Sequence, residues 1–196
     1  MLADGLTPKE VVQCHLDQQE SLGKKYFYTD QFQNLLGVDA HRKYTGAELA
    51  SQLCQQGMKG KVIFVGCAGT GASFSGITLA IRDAGFDVNA ILVEPAGCDM
   101  RANIFSEHRV EGASVGVVAP FLDWNLVDDT KTVSLEELLI TQRWFWKHTG
   151  IFVGNSSAAT LAVARNIRLS NHFKSIPIVT LAYDSGLWYE DYLFAK

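Results

Sequence analysis

The residues of this chain whose types and spacing can do chemistry fall in two short stretches. The first, Val65-Gly66-Cys67-Ala68-Gly69-Thr70-Gly71-Ala72-Ser73, follows an apolar run and precedes a helix-forming segment. Glycines in that position let the backbone turn its N–H groups inward, and the positive end of the following helix favours negative charge. Thr70 and Ser73 add two hydroxyl groups. The combination points to an anion such as a phosphate. Three other readings fit parts of it. A tight strand-to-helix turn without a ligand needs fewer glycines and no hydroxyls. A dinucleotide site requires G-x-G-x-x-G, and Phe74 stands at the last glycine position. The first motif of S-adenosylmethionine methyltransferases resembles Val65 to Gly71, and Glu94, closing the next apolar run, suits a ribose in either nucleotide reading.

The second stretch, Gly154-Asn155-Ser156-Ser157-Ala158, also joins an apolar run to a helix. It resembles a hydrolase nucleophile elbow with its final glycine replaced. That arrangement needs an acid and then a histidine downstream; Asp184 can serve as the acid, but no histidine follows it. Ser156 is then a helix cap, a role compatible with ligand binding.

The elements that must position these stretches have legible boundaries. Thr7-Pro8-Lys9-Glu10 is a capping box with proline at the first helical position, predicting a helix to about Leu22. Tyr26-Phe27-Tyr28 predicts a short strand. Thr45-Gly46-Ala47-Glu48 predicts a second capped helix, ended by Gly57. Val62 to Val65 and Val88 to Val93 predict buried strands flanking a helix over about Ala72 to Ala84, a β-α-β unit. Pro95 to Asn125 is less regular. Ser134-Leu135-Glu136-Glu137 opens a third capped helix ending near Gly150. Ile151 to Val153 predicts a short strand, Ser156 to Leu169 a helix and Ile176 to Ala182 a last strand. Alternating strands and helices with apolar, β-branched strands predict an α/β fold with a parallel sheet covered on both faces. Any domain boundary falls within Gly37 to Tyr44.

Composition narrows the function classes. A chain of 196 residues, 47% hydrophobic, can bury one respectable core. Its net charge of -4 and lack of a basic cluster argue against a nucleic-acid partner. The start, Met1-Leu2-Ala3-Asp4-Gly5, does not read as a signal peptide, and no apolar run approaches a membrane span. The cysteines, Cys14, Cys54, Cys67 and Cys98, form no C-x-x-C pair, and the histidines show no paired ligand spacing, so no metal site is expected. These features predict a soluble, cytoplasmic protein with reduced thiols.

Several segments, in order, resemble the cysteine synthase and cystathionine β-synthase group of pyridoxal-phosphate enzymes, of fold type II and tryptophan synthase β-like. They are Tyr28-Thr29-Asp30-Gln31-Phe32-Gln33-Asn34, His41 through Glu48, Gly69 through Gly76, Val93-Glu94-Pro95, Val110-Glu111-Gly112, Phe152 through Ala159, and Tyr183-Asp184-Ser185-Gly186 through Tyr189. The resemblance spans essentially the whole chain and covers the C-terminal portion of the family. It implies residues 1–40 as a remnant of the small mobile domain and 41–196 as most of the large cofactor-binding domain. It implies pyridoxal 5′-phosphate as cofactor, with Gly69, Thr70, Gly71, Ala72 and Ser73 holding its phosphate and Ser156 at its pyridine nitrogen. A neutral hydroxyl there limits the ring as an electron sink, which favours replacement or elimination at Cβ. Gln31 is implied to grip the substrate α-carboxylate and Gly112 to line the substrate space. The implied reaction is β-replacement or β-elimination on a serine- or cysteine-like amino acid with a sulfur nucleophile, in enzymes that are homo-oligomers at full length.

The chain also departs from the family pattern. The loop reads Gly-Thr-Gly-Ala-Ser where relatives have G-T-G-G-T, and Ala113-Ser114 follows Gly112 where many have a second glycine. The N-terminal segment in which the family carries its cofactor-linked lysine, and the nearby asparagine loop, have no counterpart, and none of the ten lysines sits in a recognisable motif. The catalytic lysine is therefore expected from an N-terminal complementing segment or chain. The alternatives are a non-catalytic binding or regulatory subunit that keeps the phosphate cradle, and a methyltransferase.

Overall fold

The computed structural model describes residues 8–170 and 175–189. The chain divides into two compact units, residues 1–31 and 32–196. In the first, α1 spans Pro8–Ser21. The predicted capping residue Thr7 lies outside the described residues. Gly23, at φ 74, ends the helix in the left-handed conformation. Its N–H donates to Glu20 and that of Lys24 to Gln19, the paired bonds of a Schellman stop. The strand predicted at Tyr26-Phe27-Tyr28 does not form; Phe27 is 88% exposed. No strand among the described residues lies alongside to pair its backbone groups.

The second unit opens with α2 (Leu36–Ala40), a π-helical turn (His41–Gly46) and α3 (Ala47–Gln55) in unbroken succession. The helix predicted to start at Thr45 thus starts nine residues earlier, counting from Leu36. Thr45 is internal, its hydroxyl 3.1 Å from His41 Nδ1 rather than on a cap. Packing explains the difference. A methyl group on Gly46 would stand 2.5 Å from Ala80 Cβ, and one on Gly76 would stand 2.6 Å from the Val38 carbonyl. The two glycines let backbones approach where side chains would not fit, and that contact sustains a helix that local propensity alone does not. Gly57, at φ 71, stops α3 as predicted, with Met58 N–H on the Leu53 carbonyl.

The predicted β-α-β unit is present: β1 (Lys61–Cys67), α4 (Ala72–Asp83) and β2 (Asp87–Pro95). A further strand, β3 (Asp129–Val133), pairs parallel with β2 although its sequence is polar. The last strand, β4, is shorter than predicted and pairs with β1 only at Ile178–Val179. The sheet order is β3-β2-β1-β4, with every pairing parallel. Alternation within β1 and β2 builds two cores. Ile63, Val65, Cys67, Ile91 and Val93 face α5 (Leu135–Thr149) and α6 (Asn155–Leu169), and Val62, Phe64, Ala90 and Leu92 face α4 and α3. Both faces are covered, as parallel sheets require. The predicted capping box opens α5, with Ser134 and Glu137 exchanging side-chain and backbone bonds. The strand predicted at Ile151 to Val153 reduces to one bridge between Val153 and Ser185.

Candidate functional site

In a parallel sheet, ligands gather at the carboxyl ends of the strands where the chain changes direction. Here that place is the end of β1, between β2 and β4. The glycine loop leaves β1 there and enters α4 through Gly71, at φ 84. Three of the loop's carbonyls are spent on protein: Ala68 accepts from Ser114 N–H, Thr70 from Phe121 N–H and Gly71 from Ser75 N–H. Its donors are not. Among the described residues, no backbone N–H from Gly69 to Phe74 donates to a backbone carbonyl. The Ala72 N–H has only a long 3.3 Å contact to Thr70 Oγ1. A run of unpaired N–H groups at a helix N-terminus is the donor set that a phosphate monoester takes.

The segment before and after Gly112 wraps this loop. A side chain on Gly69 would collide with the Gly112 carbonyl, and one on Gly71 with the Leu122 backbone. His108 shapes the turn that carries Gly112. Its Nδ1 accepts from Val110 N–H at 3.2 Å, which leaves the proton on Nε2 to reach the Ser114 carbonyl at 3.2 Å. Ser75 Oγ donates to the Phe121 carbonyl at 2.7 Å and accepts from Asp123 N–H at 3.1 Å. The glycine loop and Gly112 are thus brought together.

The first turn of α6 lies at the same edge of the sheet. Ser156 is 7% exposed, and its hydroxyl has no protein partner among the described residues. Its neighbours are fixed. Asn155 Nδ2 donates to the Arg109 carbonyl at 2.9 Å and to Glu111 at 3.0 Å, while Gln142, fully buried in α5, donates to the Val153 carbonyl and to Asn155. Ser157 Oγ accepts from Tyr183 N–H at 2.8 Å, and Cys67 N–H donates to the Tyr183 hydroxyl at 3.3 Å. Burial pushes the Cys67 thiol up to about 11 and the Tyr183 phenol well above its usual value, so both stay neutral. Gln31 ends the first unit and is exposed.

The sequence profile of the family described as pyridoxal-phosphate dependent enzyme matches residues 6–184. The chain belongs to this family. A cysteine synthase of Buchnera aphidicola (Schizaphis graminum strain) is 31% identical over 173 residues, covering 83% of this chain and 52% of the relative. Cysteine synthase A of Escherichia coli K12 is 28% identical over the same shares. Among solved structures, an O-ureido-L-serine synthase superposes with a TM-score of 0.82 at 27% identity, covering 97% of this chain and 58% of that one. A hydrogen sulfide-producing enzyme of Fusobacterium nucleatum gives 0.80 at 28%, covering 95% and 62%. The chain spans about half the length of the curated relatives it matches.

As a pyridoxal-phosphate family member, the chain has the cysteine synthase-like fold that the resemblance implied. The Glu94 carboxylate, weighed as a ribose ligand, is 3% exposed and accepts from Met100 N–H at 2.7 Å. Burial raises its pKa, and it is spent on the loop that follows β2. The seven lysines whose side chains are described, Lys24, Lys25, Lys43, Lys59, Lys61, Lys131 and Lys147, are all exposed; Lys174 lies outside the described residues. Asn155, Gln142, His108 and Tyr183 are site-shaping residues that sequence reasoning did not pick out. Asn155 carried a signal through its place inside the second strand–helix stretch, and Tyr183 through the Tyr183-to-Tyr189 segment that shares in the resemblance. No helix among the described residues is long and apolar enough to cross a membrane.

Proposed function

We propose that this chain is the cofactor-phosphate-holding part of a cysteine synthase-like enzyme. It acts by β-replacement or β-elimination on a serine- or cysteine-like amino acid, together with a lysine-bearing N-terminal segment. The observation that carries the reading is the run of N–H groups from Gly69 to Phe74 at one helix N-terminus that reach no backbone carbonyl among the described residues, with Ala72 N–H alone making a long 3.3 Å contact to Thr70 Oγ1. In this reading Gly69, Thr70, Gly71, Ala72 and Ser73 hold the phosphate of pyridoxal 5′-phosphate. The Ser156 hydroxyl, neutral and without a protein partner among the described residues, meets the pyridine nitrogen. Gly112 lines the substrate space beside the cradle and Gln31 binds the substrate carboxylate. Bound cofactor withdraws electrons from the substrate Cα. The chain's own part is to orient it, and the wrapped 108–123 segment excludes water from the phosphate. Residues 1–40 form the small-domain remnant and 41–196 the large domain. The same reading places the protein in the cytoplasm, as a homo-oligomer when complete.

Exposure of the described lysines favours a second version, a binding or regulatory subunit without chemistry. A cofactor-linked amine must be desolvated beside the ring, and no described lysine is. Mixing the chain with pyridoxal phosphate, an activated serine and sulfide, with and without a lysine-bearing N-terminal fragment, separates the versions. Cysteine formed only with the fragment supports the enzyme part, and none in either case supports the subunit. Substantial cysteine from the chain alone, with a borohydride-reducible adduct on its own lysine, overturns both. The cradle is tested separately by amide resonances of Gly69 to Ser73 during titration with phosphate. Thr70→Ala weakens that binding by about 1.5–3 kcal/mol, the range for hydrogen bonds to charged groups. Tight binding of S-adenosylmethionine without binding of pyridoxal phosphate would sink the reading.

A further inference from the structure

The donor cradle leaves β1, and the Ser156 hydroxyl stands on α6. These are different elements, and something must fix their separation. Along the β4 edge of β1, Ile63 N–H donates to the Pro177 carbonyl at 2.8 Å. Backbone donors of a strand point to alternate edges, so Cys67, four residues on, points to the same side. There β4 has already ended at Val179. The Tyr183 hydroxyl takes the place of the missing ladder acceptor, where β1 opens into the loop. The same residue's N–H binds Ser157 Oγ, directly after Ser156, at a side chain with 0% exposure.

The chain around Tyr183 is itself fastened to α6 and its entry. Thr180 Oγ1 donates to Thr160 Oγ1 at 2.7 Å, Gly154 N–H to the Asp184 carbonyl at 3.0 Å and Gly186 N–H to the Phe152 carbonyl at 2.9 Å. The Tyr183 side chain therefore carries the start of α6 onto the end of β1. The cradle's own shape does not depend on it, being held by Ser114 and Phe121 from the other side.

We propose that Tyr183 is a positioning residue that sets the distance between the Gly69–Ser73 cradle and the Ser156 hydroxyl. It thereby selects ligands carrying a phosphate and an aromatic nitrogen on one rigid frame. This deepens the reading of the site given above and rests on it. Tyr183→Phe removes the acceptor of a buried N–H while keeping the ring, and Ser157→Ala loosens the other end of the same link.

The test compares two probes on the chain itself. Inorganic phosphate touches the cradle alone. Pyridoxamine 5′-phosphate spans both points and, having no aldehyde, does not react with surface lysines. In Tyr183→Phe, affinity for pyridoxamine 5′-phosphate falls on the order of tenfold while that for inorganic phosphate is unchanged, since a lost positioning bond acts only through the second point. Ser157→Ala shows the same split, and stands alone if Tyr183→Phe fails to fold. Equal loss for both probes, or no loss for either, overturns the proposal. So does a wild-type chain that binds pyridoxamine 5′-phosphate no more tightly than phosphate. A wild-type chain that binds neither probe sinks the reading of the site itself.

Discussion

Gly71→Ala is the sharpest perturbation of the cradle, and its cost can be worked from geometry. Gly71 lies at φ 84, where a side chain costs about 1–2 kcal/mol through its clash with the backbone. The added methyl would also press on the Leu122 backbone, which cannot swing aside as a side-chain tip can. Overpacking of that kind costs about 1–3 kcal/mol. The sum is about 2–5 kcal/mol, a large part of a domain's total stability of about 5–15 kcal/mol. Gly57→Ala supplies the control. Its φ of 71 carries the same conformational cost, yet its methyl meets nothing within 4 Å. Urea unfolding of both variants isolates the collision: Gly71→Ala loses more stability than Gly57→Ala, and it alone loses phosphate affinity as the Thr70 carbonyl is driven off the Phe121 N–H. Equal losses in the two variants would refute the view that the 119–123 segment closes the loop by backbone contact.

Glu94 makes a pH prediction. Burial raises its pKa in the folded state, so its contribution to stability is full below the ordinary carboxylate value of about 4.3 and is lost as pH rises through the higher folded value. Glu94→Gln keeps an acceptor for Met100 N–H, so urea midpoints across this window fall with rising pH in the wild type relative to the variant; parallel curves would contradict the assignment. Thiol titration with a disulfide reagent gives two fast groups, the exposed Cys14 and Cys54, while Cys67, buried and pushed up to about 11, and the buried Cys98 react only on unfolding. Ser134→Ala removes the cap whose Oγ accepts from Glu137 N–H at 3.2 Å, and costs about 1 kcal/mol in the same unfolding assay.

What could be read from sequence was local chemistry. Ser134 with Glu137, and the glycines at 57 and 150, mark helix ends because the residues that make each stop lie within a few positions of one another. The glycine loop was legible for the same reason. The π-helical turn was not. Gly46 read as part of a helix start at Thr45, and only the approach of α4 makes its missing side chain an asset inside a continuous helix. Strand β3 was hidden by its sequence, Asp129-Thr130-Lys131-Thr132, since an exposed edge strand needs no apolar alternation. Tyr26-Phe27-Tyr28 failed in the opposite sense, having strand-forming side chains but pairing with no strand among the described residues. At the site, the cradle's residues stood in the sequence, but its wall did not. Ser114 and Phe121 reach it from distant segments through backbone bonds that leave no mark on composition.

The division of labour within the glycine loop has an electrical meaning. Ala68, Thr70 and Gly71 point their carbonyl oxygens into bonds with Ser114, Phe121 and Ser75. The loop therefore shows a visitor its hydrogens and keeps these three oxygens to itself. A ribbon so sided discriminates by sign before it discriminates by shape. A cation finds three of the carbonyls turned into protein bonds, and a neutral sugar hydroxyl gains few acceptors. A group with several anionic oxygens satisfies the whole row at once. Any substitution that unhooked Ser114 or Phe121 would turn oxygens back toward the visitor and blunt that preference, even with every residue of the loop unchanged.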